Sequence, residues 1–222
     1  MRDITFFYDP ISPYAHLAFE RLPEALMGHS VQVRYRPVLF AAMLKANGQL
    51  GPAEIPAKRD WTYRQVSWLA HHHGVTLAMP AAHPFNPLPL LRLGLATTTD
   101  DAPGETNRYV TEQLLRHVWH GGLDAADPVR LAALQALLQD HMAQRGKPWV
   151  APDSEAVKQR LRANTDEALA LGVFGVPSMV LDGRVFWGQD ALPMLRAYMD
   201  GDRWFDAQWD AAARTPVGVQ RR

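Results

Sequence analysis

The chain has 222 residues, enough for one large domain or for one domain that carries a sizeable insertion, and 47% of them are apolar, which excludes wholesale disorder. Lysine plus arginine and aspartate plus glutamate each number 23, so no basic surplus is available to bind a nucleic-acid backbone. No stretch approaches the roughly 20 apolar residues that span a bilayer, and the start lacks the apolar segment of a signal peptide. We therefore expect a cytoplasmic protein without a membrane or nucleic-acid partner.

The chain contains no cysteine. Disulfides, thiolate metal ligands and a cysteine nucleophile are therefore excluded together, and so is disulfide exchange. Any sulfur chemistry must use a thiol that another molecule supplies.

The first elements in chain order form a strand–helix–strand unit. Residues 3–8, "DITFFY", are rich in aromatic and β-branched types and predict a buried strand. Ser12 is suited to the N-cap of the following helix, with Pro13 in its first turn. Gly28 is expected to end this helix. Alternation of apolar and polar residues over 31–38, "VQVRYRPV", predicts a second strand.

The middle of the chain is helical in its periodicity, with proline and glycine punctuation between the segments. Residues 154–171 form the strongest amphipathic helix, with Asp153 or Ser154 as its N-cap. The other predicted helices cover residues 58–73, 87–99, 104–120 and 129–144.

The last part returns to strands. The segments "SMVLD" and "RVFWG" predict two short strands that form a hairpin across Asp182-Gly183, a dipeptide that favours tight turns. A closing helix is expected to start near Asp190. The tail that follows contains "RWFDAQWDAAART" and is compatible with either a helix or an interface strand.

This order of elements predicts an α/β fold. Strands at both ends of the chain can share one sheet only if the helical block between them is an insertion that returns the chain to the sheet. We expect a discontinuous thioredoxin-like domain, residues 1–40 and 172–200. Residues 41–171 are the all-helical insertion with its connecting helix, and residues 201–222 are the C-terminal tail.

The sequence "GVPSMVLDG" carries the strongest local signal. Proline alone does not predict a cis bond, because only about 5–6% of X-Pro bonds in folded proteins are cis. Here Val176-Pro177 lies between a long amphipathic helix and a hairpin, which is the position of the thioredoxin-like cis-proline loop. In that arrangement the backbone of Val176 faces the loop of Ser12, and an extended peptide-like ligand can pair with it.

Four segments in the same order, over about residues 3–200, resemble the 2-hydroxychromene-2-carboxylate isomerases, relatives of the kappa-class glutathione transferases. These segments are "DPISPYAHLAFERL", "IPAKRDWTYRQVSWLA", "HPFNPLPLLR" and "GVFGVPSMVLDGRVFWGQDALPMLRAY". The resemblance implies glutathione as cofactor, a small aromatic substrate and a homodimer. It also implies that Ser12, at the position of the first cysteine in the redox relatives, is the catalytic residue that holds the sulfur of glutathione.

The physical chemistry of Ser12 agrees with this role. A free thiol has a pKa near ~8.5, so little of it is ionised at neutral pH. A hydroxyl donor and the positive end of a helix dipole both favour the thiolate, and a decrease of about two pKa units needs roughly 2.7 kcal/mol. The alternative is that Ser12 is an N-cap only. N-cap serines are common, but the proline loop and the missing cysteine favour the sulfur contact.

Further glutathione contacts are implied by the resemblance. Lys58 and the pair Gln189-Asp190 match positions that hold the charged ends of the tripeptide, and Val176 and Pro177 supply the paired edge. Lys58 is equally compatible with a solvated surface charge, and Asp190 with a helix N-cap. The resemblance also implies a glutathione contact from a side-chain amide near the start of the insertion. Gln49 is the residue that matches here, and Asn47 is an alternative.

Asn86 in "HPFNP" faces the cleft by resemblance, and Phe7 and Trp187 are candidates for the walls of an aromatic substrate pocket. For each aromatic residue an ordinary core position is at least as compatible with the sequence.

The histidines predict no metal site. His71, His72 and His73 are consecutive and point in different directions. His117 and His120 share a helix face, but no carboxylate lies at a metal-motif spacing from them. His16, one turn after Ser12, is a weak candidate for tuning charge at the site.

The function that follows is a glutathione-dependent isomerase. Its reaction interconverts 2-hydroxychromene-2-carboxylate-type rings and trans-o-hydroxybenzylidenepyruvate-type ketoacids in aromatic hydrocarbon catabolism. The alternatives are a kappa-like transferase that conjugates electrophiles to glutathione and a non-catalytic thioredoxin-like binding module.

Overall fold

One mixed sheet carries the site. The computed structural model describes residues 1–216 and 218. Its strands are β1 (Arg2–Tyr8), β2 (Val31–Pro37), β3 (Ser178–Leu181) and β4 (Arg184–Trp187), and their spatial order is β2-β1-β3-β4. β1 pairs with β2 in parallel, whereas β1–β3 and β3–β4 are antiparallel. Strands from both ends of the chain therefore form one sheet, as the sequence predicts.

Helices fill the rest of the chain. They are α1 (Pro13–Ala25), α2 (Phe40–Ala46), α3 (Pro56–His73), α4 (Leu88–Leu95), α5 (Arg108–Trp119), α6 (Pro128–Gln144), α7 (Glu155–Ala170), α8 (Leu192–Met199) and α9 (Trp204–Ala213). Throughout the described part of the chain, every helix is too short or too polar to cross a bilayer.

The predicted helices of the insertion are confirmed, although α3 and α6 begin slightly earlier than predicted and the others are shorter. The predicted helix over 104–120 begins only at Arg108, because the side chain of Asn107 caps it by accepting from the Val110 N–H at 2.9 Å. Ser154, and not Asp153, caps α7. The short helix α2 was not predicted, because it is only 7 residues long and periodicity needs a longer window.

Helix α1 places the candidate site at the edge of the sheet. Its N-cap is Ser12 and its first residue is Pro13, as predicted. The helix ends at Ala25, three residues before the predicted Gly28, which has φ 87° in the turn toward β2. The buried face of α1 packs on the sheet, so the position of Ser12 is fixed by the core.

The insertion and the sheet share one hydrophobic core. Phe6 and Tyr8 of β1 belong to the same buried cluster as Leu93 of α4 and Leu114 and Trp119 of α5. The helical block is therefore anchored on the thioredoxin-like sheet, and burial of this surface stabilises both parts together.

The tail contains a helix, which answers the question that the sequence left open. Phe205 of α9 is only 4% exposed and contacts the rings of Phe186, Tyr198 and Trp209 at centroid distances of 6.2, 5.0 and 5.7 Å. This aromatic cluster attaches α9 to β4 and α8. Residues 217 and 219–222 of the predicted tail lie outside the described residues.

Candidate active site

Ser12 and the proline loop meet where the central strands β1 and β3 end and begin. The Val176-Pro177 peptide bond is cis, as the sequence predicts. The Ser12 hydroxyl donates to the Val176 carbonyl oxygen at 3.3 Å and accepts from the Ala15 N–H at 3.2 Å. Ser12 is thus an N-cap and a contact to the opposite loop at once, and its contact with the sulfur of glutathione stays a prediction. The bond that the hydroxyl donates to Val176 is the longer of the two. A ligand can therefore take the place of Val176 as the acceptor of the hydroxyl proton.

Asp9 holds the loop that leads to Ser12. Its carboxylate accepts from the backbone N–H groups of Ile11 and Phe40, both at 3.0 Å, and its carbonyl accepts from the Ser12 N–H at 3.0 Å. The side chain is completely buried, and this burial raises the pKa of Asp9 to about 7. Asp9 therefore positions the turn from below, between β1 and α2.

His83 and Trp119 brace the same loop from the insertion. The Trp119 indole N–H donates to the Pro10 carbonyl at 2.9 Å, and His83 Nε2 lies 2.8 Å from the Ile11 carbonyl. A carbonyl only accepts, so Nε2 carries a proton, and the Tyr63 hydroxyl lies 2.8 Å from both Nδ1 and the carbonyl oxygen of His83. The sequence motif "HPFNP" had pointed to Asn86 alone; nothing in its spacing marked His83 as a partner of the first loop.

Lys58 lies in the first turn of α3 and is exposed. Helix α3 packs beside α1, and the Tyr14 hydroxyl of α1 donates to Gln65 of α3 at 2.6 Å. The Lys58 ammonium is available to a ligand carboxylate near α1, but the same geometry suits a lysine that contacts only water. The assignment of Lys58 stays a prediction.

Gln189 and Asp190 follow β4 in a short 3₁₀ turn. Gln189 is 7% exposed and its amide oxygen accepts from Arg21 at 3.3 Å, so the protein already holds one end of this amide. Asp190 is exposed, and its charge contributes to the raised pKa of Tyr14, after the larger effect of burial. The two residues therefore lie beside the start of α1, and their contact with a ligand stays a prediction.

The turn after α2 contains Asn47 and Gln49, both exposed. The Asn47 amide donates to the Met43 carbonyl at 2.8 Å and so closes the end of α2. That bond uses one N–H of the Asn47 amide and leaves its oxygen and second N–H available, so Gln49 and Asn47 both stay candidates for the amide contact.

Of the three residues predicted to face the substrate, Trp187 has the position that suits this role best. It is 54% exposed, and its ring lies 4.8 Å from that of Phe174. Its indole nitrogen covers Gly175, where an added Cβ would lie 2.6 Å away, so glycine is required for the ring to approach the proline loop. Asn86 is also exposed, and its side-chain oxygen accepts from the Leu88 N–H at 3.1 Å at the start of α4.

Phe7 requires a correction. It is completely buried and packs with Val38, Met43 and Val176 in a cluster beneath the loop. Alternation along β1 places it on the sheet face opposite Phe6 and Tyr8, and this second cluster buries it, so it supports the proline loop and does not wall an open pocket.

His16 also requires a correction. It is fully buried, its Nε2 lies 2.9 Å from the Thr76 carbonyl, and burial lowers its pKa to about 4. The imidazole is neutral at pH 7 and supplies no positive charge to Ser12.

The predicted pair of His117 and His120 separates in the structure. His117 Nε2 lies 3.1 Å from the Ala125 carbonyl, whereas His120, which caps the end of α5, is brought to His16 and Glu20 of α1. Only part of this cluster was visible in the sequence, where His16 and Glu20 are four residues apart and so share one helix face.

The mixed sheet and the pairing of a helix-capping residue with a cis-proline loop define a protein of the thioredoxin-like class, with serine at the turn and no cysteine. The model of the DSBA-like thioredoxin domain matches residues 3–200. The chain belongs to this family, and the predicted fold class is confirmed.

Curated relatives confirm the resemblance drawn from the motifs. The chain is 28% identical over 199 residues to 2-hydroxychromene-2-carboxylate isomerase of Pseudomonas putida, which covers 88% of this chain and 93% of that protein. It is 27% identical over 213 residues to glutathione S-transferase kappa 1 of Rattus norvegicus, with 91% and 92% covered. A solved structure of a 2-hydroxychromene-2-carboxylate isomerase superposes with TM-score 0.69 at 22% identity, over 93% of this chain and 98% of that one, which shows the shared fold.

Proposed function

We propose that this protein is a glutathione-dependent isomerase of 2-hydroxychromene-2-carboxylate-type compounds. The observation that carries the proposal is the Ser12 hydroxyl, which is placed at the N-terminus of α1 and directed at the cis-proline loop. The relatives named as isomerases and as a glutathione transferase support it, because they extend over most of this chain.

The residues at the turn suit a bound thiol. The Ser12 proton has one long bond, to the Val176 carbonyl, and can rotate toward a sulfur atom while Oγ still accepts from Ala15. The N-terminus of α1 adds positive potential at the same point, and a hydroxyl donor stabilises an anion more than a neutral thiol. Together they favour ionised sulfur at neutral pH.

The rest of the site would hold the tripeptide and the substrate. The backbone of Val176 beside Pro177 pairs with the extended ligand, Lys58 and Gln49 hold a carboxylate end, and Gln189 and Asp190 hold the γ-glutamyl end. Trp187 and Asn86 border the space left for the aromatic substrate.

When bound, glutathione supplies the nucleophilic sulfur whose reversible addition to a conjugated carbon permits ring opening and bond rotation. Ser12 keeps that sulfur ionised before addition and after expulsion. The braces from Asp9 and His83 hold the backbone of the turn, so that Ser12 stays at the N-terminus of α1 during the reaction. As part of the proposal, the protein is a cytoplasmic homodimer that acts in aromatic hydrocarbon catabolism.

A spectral assay of ring opening, with and without reduced glutathione, tests the proposal. We expect turnover only with glutathione, and an unchanged thiol concentration after many turnovers.

The same assay separates the second candidate, which the rat kappa relative favours. A conjugating transferase would consume one thiol for each product formed. Absence of any glutathione-dependent turnover with chromene carboxylates and with general electrophiles would instead support a non-catalytic binding module.

A further inference from the structure

Three polar side chains converge one turn beyond Ser12 and leave one atom each without a partner. His16 and Glu20 of α1 and His120 at the end of α5 offer ligand atoms that all lie within 4.8 Å of one another. His16 Nδ1, Glu20 Oε1 and His120 Nε2 are buried and make no hydrogen bond within the part of the chain that the structure describes. Unpartnered buried polar atoms are costly, and three at one point indicate a missing partner.

The protonation of His16 is fixed by its other nitrogen. Nε2 lies 2.9 Å from the Thr76 carbonyl, which only accepts, so Nε2 carries the proton and Nδ1 presents a lone pair to the cluster. A metal-bound histidine is commonly oriented in this way, through a backbone carbonyl that fixes the ring. His16 is completely buried, so bulk water does not satisfy this lone pair.

We propose that His16, Glu20 and His120 form a binding site for a divalent transition-metal ion of the zinc type. Two imidazole nitrogens and one carboxylate oxygen are a common ligand set for such ions, with further positions left to water. Bonds of about 2.1 Å place the ligands of a tetrahedral ion about 3.4 Å apart, so binding needs only a small contraction of this cluster.

An entry path exists on the surface side. A cavity of about 290 Å³ is lined by Glu20, Glu24, His73 and His120, among others. The cavity gives an ion access to Glu20 and His120, and it leaves room for water molecules that complete the coordination of the ion.

Arg21 and Arg116 also line this cavity and oppose a cation, and Arg116 lies beside a proposed ligand. The Arg116 Nε lies 3.9 Å from Glu20 Oε1, beyond hydrogen-bond distance, while its Nη2 is bound to Glu112 at 2.6 Å. The guanidinium therefore lowers the affinity of the site without occupying the Glu20 oxygen. Arg116→Gln is expected to bind metal severalfold more tightly than the wild type.

A bound ion would connect α1, which carries Ser12, to the end of α5. The test is a calorimetric titration of the metal-stripped full chain with Zn²⁺, with Mg²⁺ as a hard cation that imidazole binds poorly, together with thermal unfolding in each condition. We expect about one equivalent of Zn²⁺ to bind and to raise the Tm, and Mg²⁺ to do neither. Co²⁺ should give the visible absorption of a site with nitrogen ligands.

Variants assign the ligands. Glu20→Gln keeps the shape of the side chain and should weaken Zn²⁺ binding at least tenfold, and His120→Ala should abolish the stabilisation. The control is the double variant His71→Ala/His72→Ala, which removes two exposed imidazoles outside the cluster and should bind as the wild type does. Failure of Zn²⁺ to bind, binding that survives both cluster variants, or binding lost in the control would each overturn the proposal.

Discussion

Polar groups at the start of helix α1 have hydrogen-bond partners in the protein, whereas those in its following turns include atoms without such partners in the described part of the chain. At the N-terminal turn, the Ser12 hydroxyl and the Asp9 carboxylate are both held by protein partners. One turn later, His16 and Glu20 face His120 with unpartnered atoms. Protein contacts alone organise the first turn, whereas an ion would complete the metal site that we propose at the second. Preorganisation suits the stabilisation of a developing charge, and an open set of ligands suits the capture of an ion.

The largest expected effect is on Ser12. Ser12→Ala removes the hydroxyl donor and should lower kcat/KM for glutathione-dependent isomerisation about 10²–10³-fold, the usual effect of losing one donor to a catalytic anion. Steady-state kinetics at saturating glutathione measures this loss.

Ser154→Ala is the matched control, because Ser154 caps α7 as Ser12 caps α1. Both variants should lose about 1 kcal/mol of stability from the missing cap, but only Ser12→Ala should lose activity. Equal activities in the two variants would mean that Ser12 is an N-cap and nothing more.

A smaller effect is expected at Lys58. Lys58→Gln should raise the glutathione concentration for half-saturation about threefold to fivefold and leave kcat nearly unchanged, since an exposed charge contributes modestly and is screened by salt. Lys158→Gln, an exposed lysine on α7, is the control and should have no effect. If Lys58→Gln needs the same glutathione concentration for half-saturation as the wild type, Lys58 does not bind glutathione and is an ordinary solvated surface charge.

We expect Asp9 to change how the free energy of unfolding depends on pH. Its folded-state pKa of about 7 lies above the ordinary value of 3.8, so the fold binds its proton more tightly than the unfolded chain does. The stability that protonated Asp9 contributes is fully present below pH 3.8 and is lost as the pH rises through about 7.

Buried histidines such as His16 and His83, whose pKa values are lowered by burial, change stability with the opposite sign. The measurement is therefore the difference in unfolding free energy between wild type and Asp9→Asn from pH 5 to pH 8. We expect the advantage of the wild type to shrink as the pH rises. Parallel curves for the two proteins would show that Asp9 is ionised throughout this range.

The smallest expected effect concerns the open cluster without metal. His120→Phe in the presence of a chelator should leave the Tm unchanged or slightly higher, because it removes a buried nitrogen that has no partner. His117→Phe is the matched control and should lower the Tm, since His117 Nε2 has a partner in the Ala125 carbonyl at 3.1 Å. A clear fall in Tm for His120→Phe would mean that the fold itself satisfies this imidazole.

Much of the fold was predictable because its signals are local. The N-cap at Ser12, the proline in the first turn and the hairpin at Asp182-Gly183 each depend on residues a few positions apart. The cis-proline loop was predicted from its place between a helix and a hairpin, which is also a matter of chain order. Helix ends were less accurate, because caps such as Asn107 compete with the periodicity that runs past them.

The brace of His83 on the first loop was not predicted, because it joins residues that are 72 positions apart. Phe7 was assigned to the substrate, but residues from distant parts of the chain, such as Met43 and Ala168, cover its face of the sheet and bury it. The meeting of His120 with α1 was missed for the same reason as His83, since no sequence spacing records which helix ends come together.

The sequence by itself determined the class of fold, the serine at the helix start and the need for a thiol from outside, because strand patterns, caps and the absence of cysteine are properties of neighbouring residues or of composition. The tertiary structure alone decided which groups share a site: Ser12 with Val176, His83 with Ile11, and His16 with Glu20 and His120. Such pairings depend on how the insertion packs on the sheet. That packing comes from many nondirectional apolar contacts, which no short motif encodes.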